Sequence, residues 1–278
     1  MFYTTILKKL IPNNYFIYFY SMIFDFYKYQ GTGNDFIIVD DRKNIFDIND
    51  KSLISALCER RFGIGADGLI LLQNHNTLDF NMIYFNSDGI QSSMCGNGGR
   101  CIVHFAQLLG IINDITNFMA VDGVHKAIIN NNDISLKMQN VAKIKTLNGG
   151  FFLNTGSPHF VKFVDNLEGL DVNTEGRKIR DSKYFKSEGV NVNFVLDDKF
   201  TEIRTYERGV ESETLSCGTG VVAAAICRHY NNVNIEEAAT IYSKGGSLVV
   251  DFEYFKGIYQ NIWLTGGVNL VYAGEFEC

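Results

Sequence analysis

Met94-Cys95-Gly96-Asn97-Gly98-Gly99-Arg100-Cys101 and Ser216-Cys217-Gly218-Thr219-Gly220-Val221 are two versions of one short phrase. Each sets a cysteine directly before a Gly-polar-Gly loop, and each loop runs into an apolar, helix-like stretch, Cys101 to Leu109 and Val221 to Tyr230. A thiol at a helix N-terminus faces free backbone N–H groups and the positive end of the helix dipole. Its thiolate is stabilised there, and its pKa is expected to fall below the free value of about 8.5. The glycines let backbone approach a ligand closely, and exposed amides suit an anion such as a carboxylate. One such site suggests a nucleophile; two suggest a pair of thiols facing one substrate.

The duplication extends outward from the cysteines. Gly31-Thr32-Gly33-Asn34-Asp35-Phe36-Ile37-Ile38-Val39-Asp40 is echoed by Thr155-Gly156-Ser157-Pro158-His159-Phe160-Val161-Lys162-Phe163-Val164-Asp165. Asn34 precedes Cys95 by 61 residues and Ser157 precedes Cys217 by 60. Landmarks in one order at nearly one spacing describe a chain built from two diverged copies of a domain-sized unit, since solenoid repeats have shorter periods of roughly 20–50 residues. At 278 residues the chain has room for two such domains. With 46% hydrophobic residues it can bury a core in each.

Composition excludes several classes. A net charge of −6 argues against nucleic-acid binding, which calls for a basic face. The six cysteines are too few for a secreted disulfide scaffold, and Cys58 and Cys227 lie in apolar helical stretches as core thiols do. Cys95 and Cys101 do not have zinc-ligand spacing, and no Cys-x-x-Cys or paired-His motif completes a metal site. Reduced thiols in a cytoplasmic protein are the expected state. In residues 1–21, Lys8 and Lys9 precede Tyr15-Phe16-Ile17-Tyr18-Phe19-Tyr20, but Pro12-Asn13-Asn14 interrupts the pattern and no small-x-small cleavage site follows. The run is too short for a bilayer, which needs about 20 apolar residues. Residues 1–21 therefore read as an extension outside the fold.

The rest alternates short strands with a few helices. Leu53 to Arg61 reads as a helix capped by Asn49 or Asp50. Phe24 to Gln30, Gly68 to Gln73 and Leu78 to Phe85 read as strands, and Asn86-Ser87-Asp88-Gly89 as a turn. Ile115 to Ala120, His125 to Asn130 and Ile134 to Gln139 form a meander. Further strands are expected near Phe151, Phe160, Val192 and Ile203, at Ala238 to Tyr242, Leu248 to Phe255, Tyr259 to Leu264 and Val268 to Tyr272. Val221 to Cys227 is small and apolar all round, as a fully buried helix is. The expected class is α+β, with two pseudo-symmetric domains, each an antiparallel sheet or barrel wrapped around a central helix, and the site in the cleft between them. The first half spans 22–138 and is completed by a returning C-terminal strand, 267–278; the second spans 139–266. Gly63-Ile64-Gly65-Ala66-Asp67-Gly68 matches the dinucleotide fingerprint, but it follows a helix and precedes a strand, the reverse of the required order, and reads as a tight turn.

Gly31-Thr32-Gly33-Asn34-Asp35-Phe36, Asn86-x-Asp88-Gly89, Cys95-Gly-Asn-Gly-x-Arg-Cys101, Glu207-Arg208-Gly209 and Glu213-Thr-x-x-Cys217-Gly-Thr-Gly220 together resemble diaminopimelate epimerase, over about Tyr27 to Tyr272. The resemblance implies an isomerase without a cofactor that converts LL-diaminopimelate to the meso form for lysine and peptidoglycan synthesis, and a homodimer with Tyr272 at the dimer contact. It makes Cys95 the proton donor and Cys217 the acceptor for one direction, with roles exchanged in reverse. Inverting an α-carbon needs a base on one face and an acid on the other, which two thiols supply symmetrically. Amides of Gly96, Asn97, Gly218 and Thr219 suit the reacting carboxylate. Glu207 and His159 match positions that orient the reacting amino group. Arg208, Asn34, Asn86 and Asn191 suit the distal, non-reacting head group.

Two departures stand out. Ser157 occupies a position that is often asparagine, and keeps one hydrogen bond; Gly68 lies where some members carry glutamine, and offers none. A proline or hydroxyproline racemase of the same two-thiol type is the alternative, but it needs no Arg208 and asparagine set for a second amino-acid head. An isomerase of the phenazine-pathway type is disfavoured by the presence of both cysteines. An idle binding or thiol-redox protein is the reading from another class.

Overall fold

The computed structural model describes residues 23–277 except Asn132 and Asn234. Residues 1–21, read as an extension, lie outside the described residues, as do Met22 and Cys278. Four helices occur among the described residues: α1 (Lys51–Cys58), α2 (Gly96–Leu108), α3 (Val172–Arg180) and α4 (Gly218–Asn231). The remainder is mostly strand.

Strand pairing repeats itself, step for step. Ile23–Gly31 pairs antiparallel with Asn34–Asp40, which runs parallel to Gly68–Gln73; that strand pairs antiparallel with Phe80–Asn86, which runs parallel to Ile115–Ala120. Gly150–Asn154, Pro158–Phe163, Asn191–Asp197, Thr201–Glu207 and Ala238–Ser243 follow the same sequence of antiparallel and parallel steps. The equivalence reaches single residues: Phe36 lies opposite Gly68, and His159 opposite Asn191. The C-terminal strand Asn269–Glu277 returns to the first half, pairing Phe276 with Phe24 and Tyr272 with Lys28. It fills the place that Ile144–Leu147 fills beside Gly150–Asn154. Asp133–Lys137 pairs with Ile258–Gly267 and stitches the halves together.

The expected α+β class holds, with one correction: the sheets are mixed, not antiparallel throughout. Parallel neighbours need a crossover, and the four helices supply the four: α1 and α3 cover the outer face of each half, while α2 and α4 cross through the inner core. This is why Phe36, Ile37, Ile38 and Val39 are all buried, with no alternation. Phe36 and Ile38 join the inner core around α2 and α4, whereas Ile37 and Val39 join an outer cluster with Ile54 and Leu57 of α1. In the second half Phe160, Val172 and Tyr206 form the matching outer cluster under α3.

The sequence reading places no helix at Val172–Arg180, although the signals are present. Asp171 caps it by accepting from the Thr174 N–H at 3.1 Å, Glu175 lies in its first turn, and Arg177, Lys178 and Arg180 lie in its last. The helix is almost wholly polar, and a glycine in its middle hides the pattern. A Cβ at Gly176 would fall 2.4 Å from the Tyr206 Cβ, so the glycine is what lets α3 lie on the sheet. Helix α1 is capped by Asp50, as read, but ends at Cys58 rather than Arg61, because the chain turns through Gly63 and Gly65 (φ +79°) into the next strand. The fingerprint-like segment is thus a tight helix-to-strand turn, as its order in the sequence implies.

Residues Val221 to Cys227 are fully buried, as their composition predicts. Among the described residues no helix is long and apolar enough to cross a membrane.

Candidate active site

Helices α2 and α4 begin one residue after Cys95 and Cys217, so each cysteine is the N-cap itself. The Gly-polar-Gly segments, read as loops, are the first helical turns. The first intrahelical bonds run from Gly99 N–H to the Cys95 carbonyl (2.7 Å) and from Val221 N–H to the Cys217 carbonyl (2.9 Å). The N–H groups of the residues between have no partner within their helix. The two helix starts meet: a Cβ on Gly218 would lie 3.7 Å from the Gly96 Cα, and one on Gly96 3.8 Å from the Gly218 Cα. The Asn97 side chain donates across the seam to the Ser216 carbonyl at 3.4 Å. The two cysteine-capped helix starts therefore meet at one seam between the halves, and both thiols are free.

Burial reverses the expectation of acidic thiols. Desolvation raises the pKa of both, and the Glu207 carboxylate raises each further. Backbone N–H groups of Gly98 and Asn97 at Cys95, and the Thr219 hydroxyl and Gly220 N–H at Cys217, pull the other way without overcoming it. The helix-terminus argument gives the right donors and the wrong net sign, because it leaves out the lost water.

Each thiol is backed by its own polar set. The Cys95 thiol donates to Asn34 Oδ1 at 3.5 Å, and Asn34 Nδ2 is held by Asp67 at 2.7 Å. Arg60 grips Asp67 and Asp35 together; although burial opposes it, Arg60 and Lys28 hold the Asp35 carboxyl well below the usual range. At Cys217 the Sγ lies 3.6 Å from Thr219 Oγ1, which lies 2.9 Å from His159 Nε2. Asn193 Nδ2 donates to His159 Nδ1 at 3.0 Å, while Thr205 donates to Asn193 Oδ1. That pattern fixes the Nε2–H tautomer, so His159 donates to Thr219. A Cβ at Gly220 would come 2.4 Å from Asn193 Oδ1, which explains the second glycine of the motif. His159 is fully buried, and burial, with Arg208 adding, pushes its pKa down to about 3.

That shift predicts acid sensitivity. Unfolded histidine binds a proton near pH 6.5 and folded His159 does not until near pH 3, so its contribution is present above 6.5 and lost as pH falls between them. Chemical denaturation at pH 5.5 should show about 1 kcal/mol less stability from this group than at pH 7.5. The difference should shrink in His159→Gln; an unchanged difference would place the sensitivity elsewhere.

In the second half, Asn191 donates to Ser157 Oγ at 2.9 Å and accepts from Arg208 N–H at 2.9 Å. The exposed Arg208 guanidinium reaches the Glu188 carbonyl (3.1 Å) and Ser157 Oγ (3.5 Å). Among the described residues it forms no ion pair. Glu207 accepts from Thr214 at 2.9 Å, and burial raises its pKa. Asn86 is exposed at the end of its strand, opposite Gly68. A side chain at Gly68 would strike Tyr84, 2.6 Å from the ring and 3.2 Å from the hydroxyl, so the room a longer residue would need is taken by the Tyr84 phenol.

Residues missed from sequence are those behind the first contacts: Asp67 and Arg60 behind Asn34, and Asn193 behind His159. Asp67 lies inside the rejected fingerprint, and Asn193 follows Asn191 by two, on one strand face; both signals were readable.

A sequence model of the diaminopimelate epimerase family matches residues 26–144 and 151–270, breaking between the halves. This chain belongs to the diaminopimelate epimerase family. It is 54% identical over 249 residues to the diaminopimelate epimerase of Flavobacterium psychrophilum, covering 88% of this chain and 97% of that one. To that of Aquifex aeolicus it is 38% identical, covering 91% and 98%. Among solved structures, a phenazine biosynthesis protein of the PhzF family from Bacillus anthracis superposes with a TM-score of 0.72 at 14% identity, covering 92% of this chain and 99% of that one. A hydroxyproline epimerase from Agrobacterium vitis does so at 0.65 and 13%, covering 92% of each. At those identities the fold alone is shared with the diaminopimelate epimerase family.

Proposed function

We propose that the chain is an isomerase that epimerises LL-2,6-diaminopimelate to the meso form by proton transfers between one α-carbon and two thiols, Cys95 and Cys217, in lysine and peptidoglycan precursor biosynthesis. The observation that carries this is the meeting of the two cysteine-capped helix starts at Gly96 and Gly218. In one direction Cys217 as thiolate takes the α-proton and Cys95 as thiol returns one to the opposite face; in reverse they exchange. The N–H groups of Gly96, Asn97, Gly218 and Thr219 bind the reacting carboxylate, where negative charge develops. Glu207 takes the reacting ammonium. His159 acts from behind, orienting Thr219 against Cys217. Arg208, Asn191, Ser157, Asn34 and Asn86 hold the distal head group, so that only one centre is presented to the thiols.

The division into 22–138 with 267–278, and 139–266, follows the duplicated pairing, with the seam as the cleft. A cytoplasmic homodimer goes with this reading. Strand Asn269–Glu277 pairs only with Ile23–Gly31 among the described residues, and Leu270, Val271 and Tyr272 on it are exposed, which leaves an apolar edge for a second copy.

The purified chain should convert LL-diaminopimelate to the meso isomer and leave L-proline and hydroxyproline untouched; the reverse preference would favour the racemase. With no substrate between them, the two thiols should also oxidise to a Cys95–Cys217 disulfide, with activity lost in oxidant and regained in dithiothreitol. Peptide mapping that joined Cys95 only to Cys101 would contradict the shared cleft.

A further inference from the structure

Arg100 is fully buried, yet among the described residues no carboxylate lies within ion-pair distance of it. Its guanidinium donates to three neutral oxygens at the start of α2: the Gly96 carbonyl (3.3 Å), Asn97 Oδ1 (3.0 Å) and Thr32 Oγ1 (3.3 Å). Its Nε has no partner. Backbone from both halves packs against it: a Cβ on Gly31 would lie 3.5 Å from Nη2, and one on Gly266, from the other half, 3.4 Å from Nε, both ordinary contact distances. An unpaired buried charge costs several kcal/mol, and a cation at a helix N-terminus adds repulsion from the dipole. The groups in electrostatic contact with Arg100 are Cys101, Cys95 and the exposed Asp133. Cys101 is sealed in the core, where burial keeps it a neutral thiol.

Helix α4 has no equivalent. Aligned from their cysteines, Arg100 corresponds to Val222, also fully buried. The two thiols, alike in backbone but backed by different polar sets, differ also by one buried cation.

We propose that Arg100 is a positioning residue that breaks the symmetry of the thiol pair, favouring Cys95 over Cys217 as the first to ionise and aiming the Gly96 and Asn97 N–H groups into the cleft. The inference rests on the two-thiol reading. Groups facing Cys95 from other elements are Glu207, the Tyr84 phenol, Cys217 and, through Asn34, Asp67. All are neutral or negative, and Arg100 is the cation that opposes them, alongside the Gly98 and Asn97 N–H groups. The free enzyme then rests toward the form in which Cys95 is the base.

The test needs no turnover, so its failure is distinct from failure of the proposed reaction. The substrate-free chain is treated with limiting iodoacetamide across pH 7–9.5, and alkylation of Cys95 and Cys217 is followed by peptide mass mapping. Since the thiolate is the nucleophile, Cys95 should lead in the native chain. In Arg100→Met the Cys95-to-Cys217 rate ratio should fall about 10-fold, with the Cys95 profile moving about one pH unit higher. Arg100→Lys should keep the ratio within about 2-fold, because it keeps the charge. Arg100→Gln, neutral but still hydrogen-bonding, should behave as Arg100→Met and stands in for it if that variant does not fold. An unchanged ratio in either neutral variant, or a loss in Arg100→Lys equal to that in Arg100→Gln, would overturn the proposal.

Discussion

Cys95→Ala and Cys217→Ala should each lose epimerase activity by more than about 10³-fold while unfolding at nearly the native temperature. Each removes the only proton carrier on one face of the α-carbon, and positioned acid–base groups are commonly worth about 10²–10⁴-fold. Cys95→Ser and Cys217→Ser should also be crippled, since a hydroxyl is far less acidic than a thiol that burial already makes reluctant to ionise. The raised thiols add a pH signature: kcat/KM should climb from pH 7 toward 9, as the base becomes available. Full activity in Cys217→Ser would end the two-thiol account.

Arg208→Lys should cost about 1–3 kcal/mol in kcat/KM, roughly 5- to 150-fold, by the scale of hydrogen bonds to charged groups. The guanidinium is held by a backbone carbonyl and Ser157 Oγ, with no carboxylate paired to it among the described residues, so its fork is available to a substrate carboxylate. A lysine keeps the charge and loses the bidentate geometry. The loss should be much smaller with an analogue lacking the distal carboxylate. Equal losses with both would make Arg208 structural and reopen the racemase reading.

The helix-capping cysteines, the duplicated landmarks and the buried α4 were legible because each is written in local pattern: glycine spacing, order, and an all-apolar run. The mixed sheet was not, since parallel pairing is set by where the helices cross over, and one of them, α3, is polar with a glycine at its centre. The thiols' acidity was misread for a related reason. Helix-terminus donors are visible in sequence, but the desolvation that outweighs them comes from the meeting of two distant segments. Asp67, Asn193 and Arg100 were visible as letters; what they hold became visible only when the halves closed.

The central claim is that two proton carriers act on opposite faces of one carbon. LL-diaminopimelate turned over in deuterated water to low conversion tests it directly. The meso product should carry deuterium at the inverted α-carbon alone, while recovered substrate stays protiated, because the proton taken by one thiol is not the one the other returns. Product that retains the substrate's own hydrogen, or substrate and product labelled at equal rates, would mean a single carrier and contradict the account.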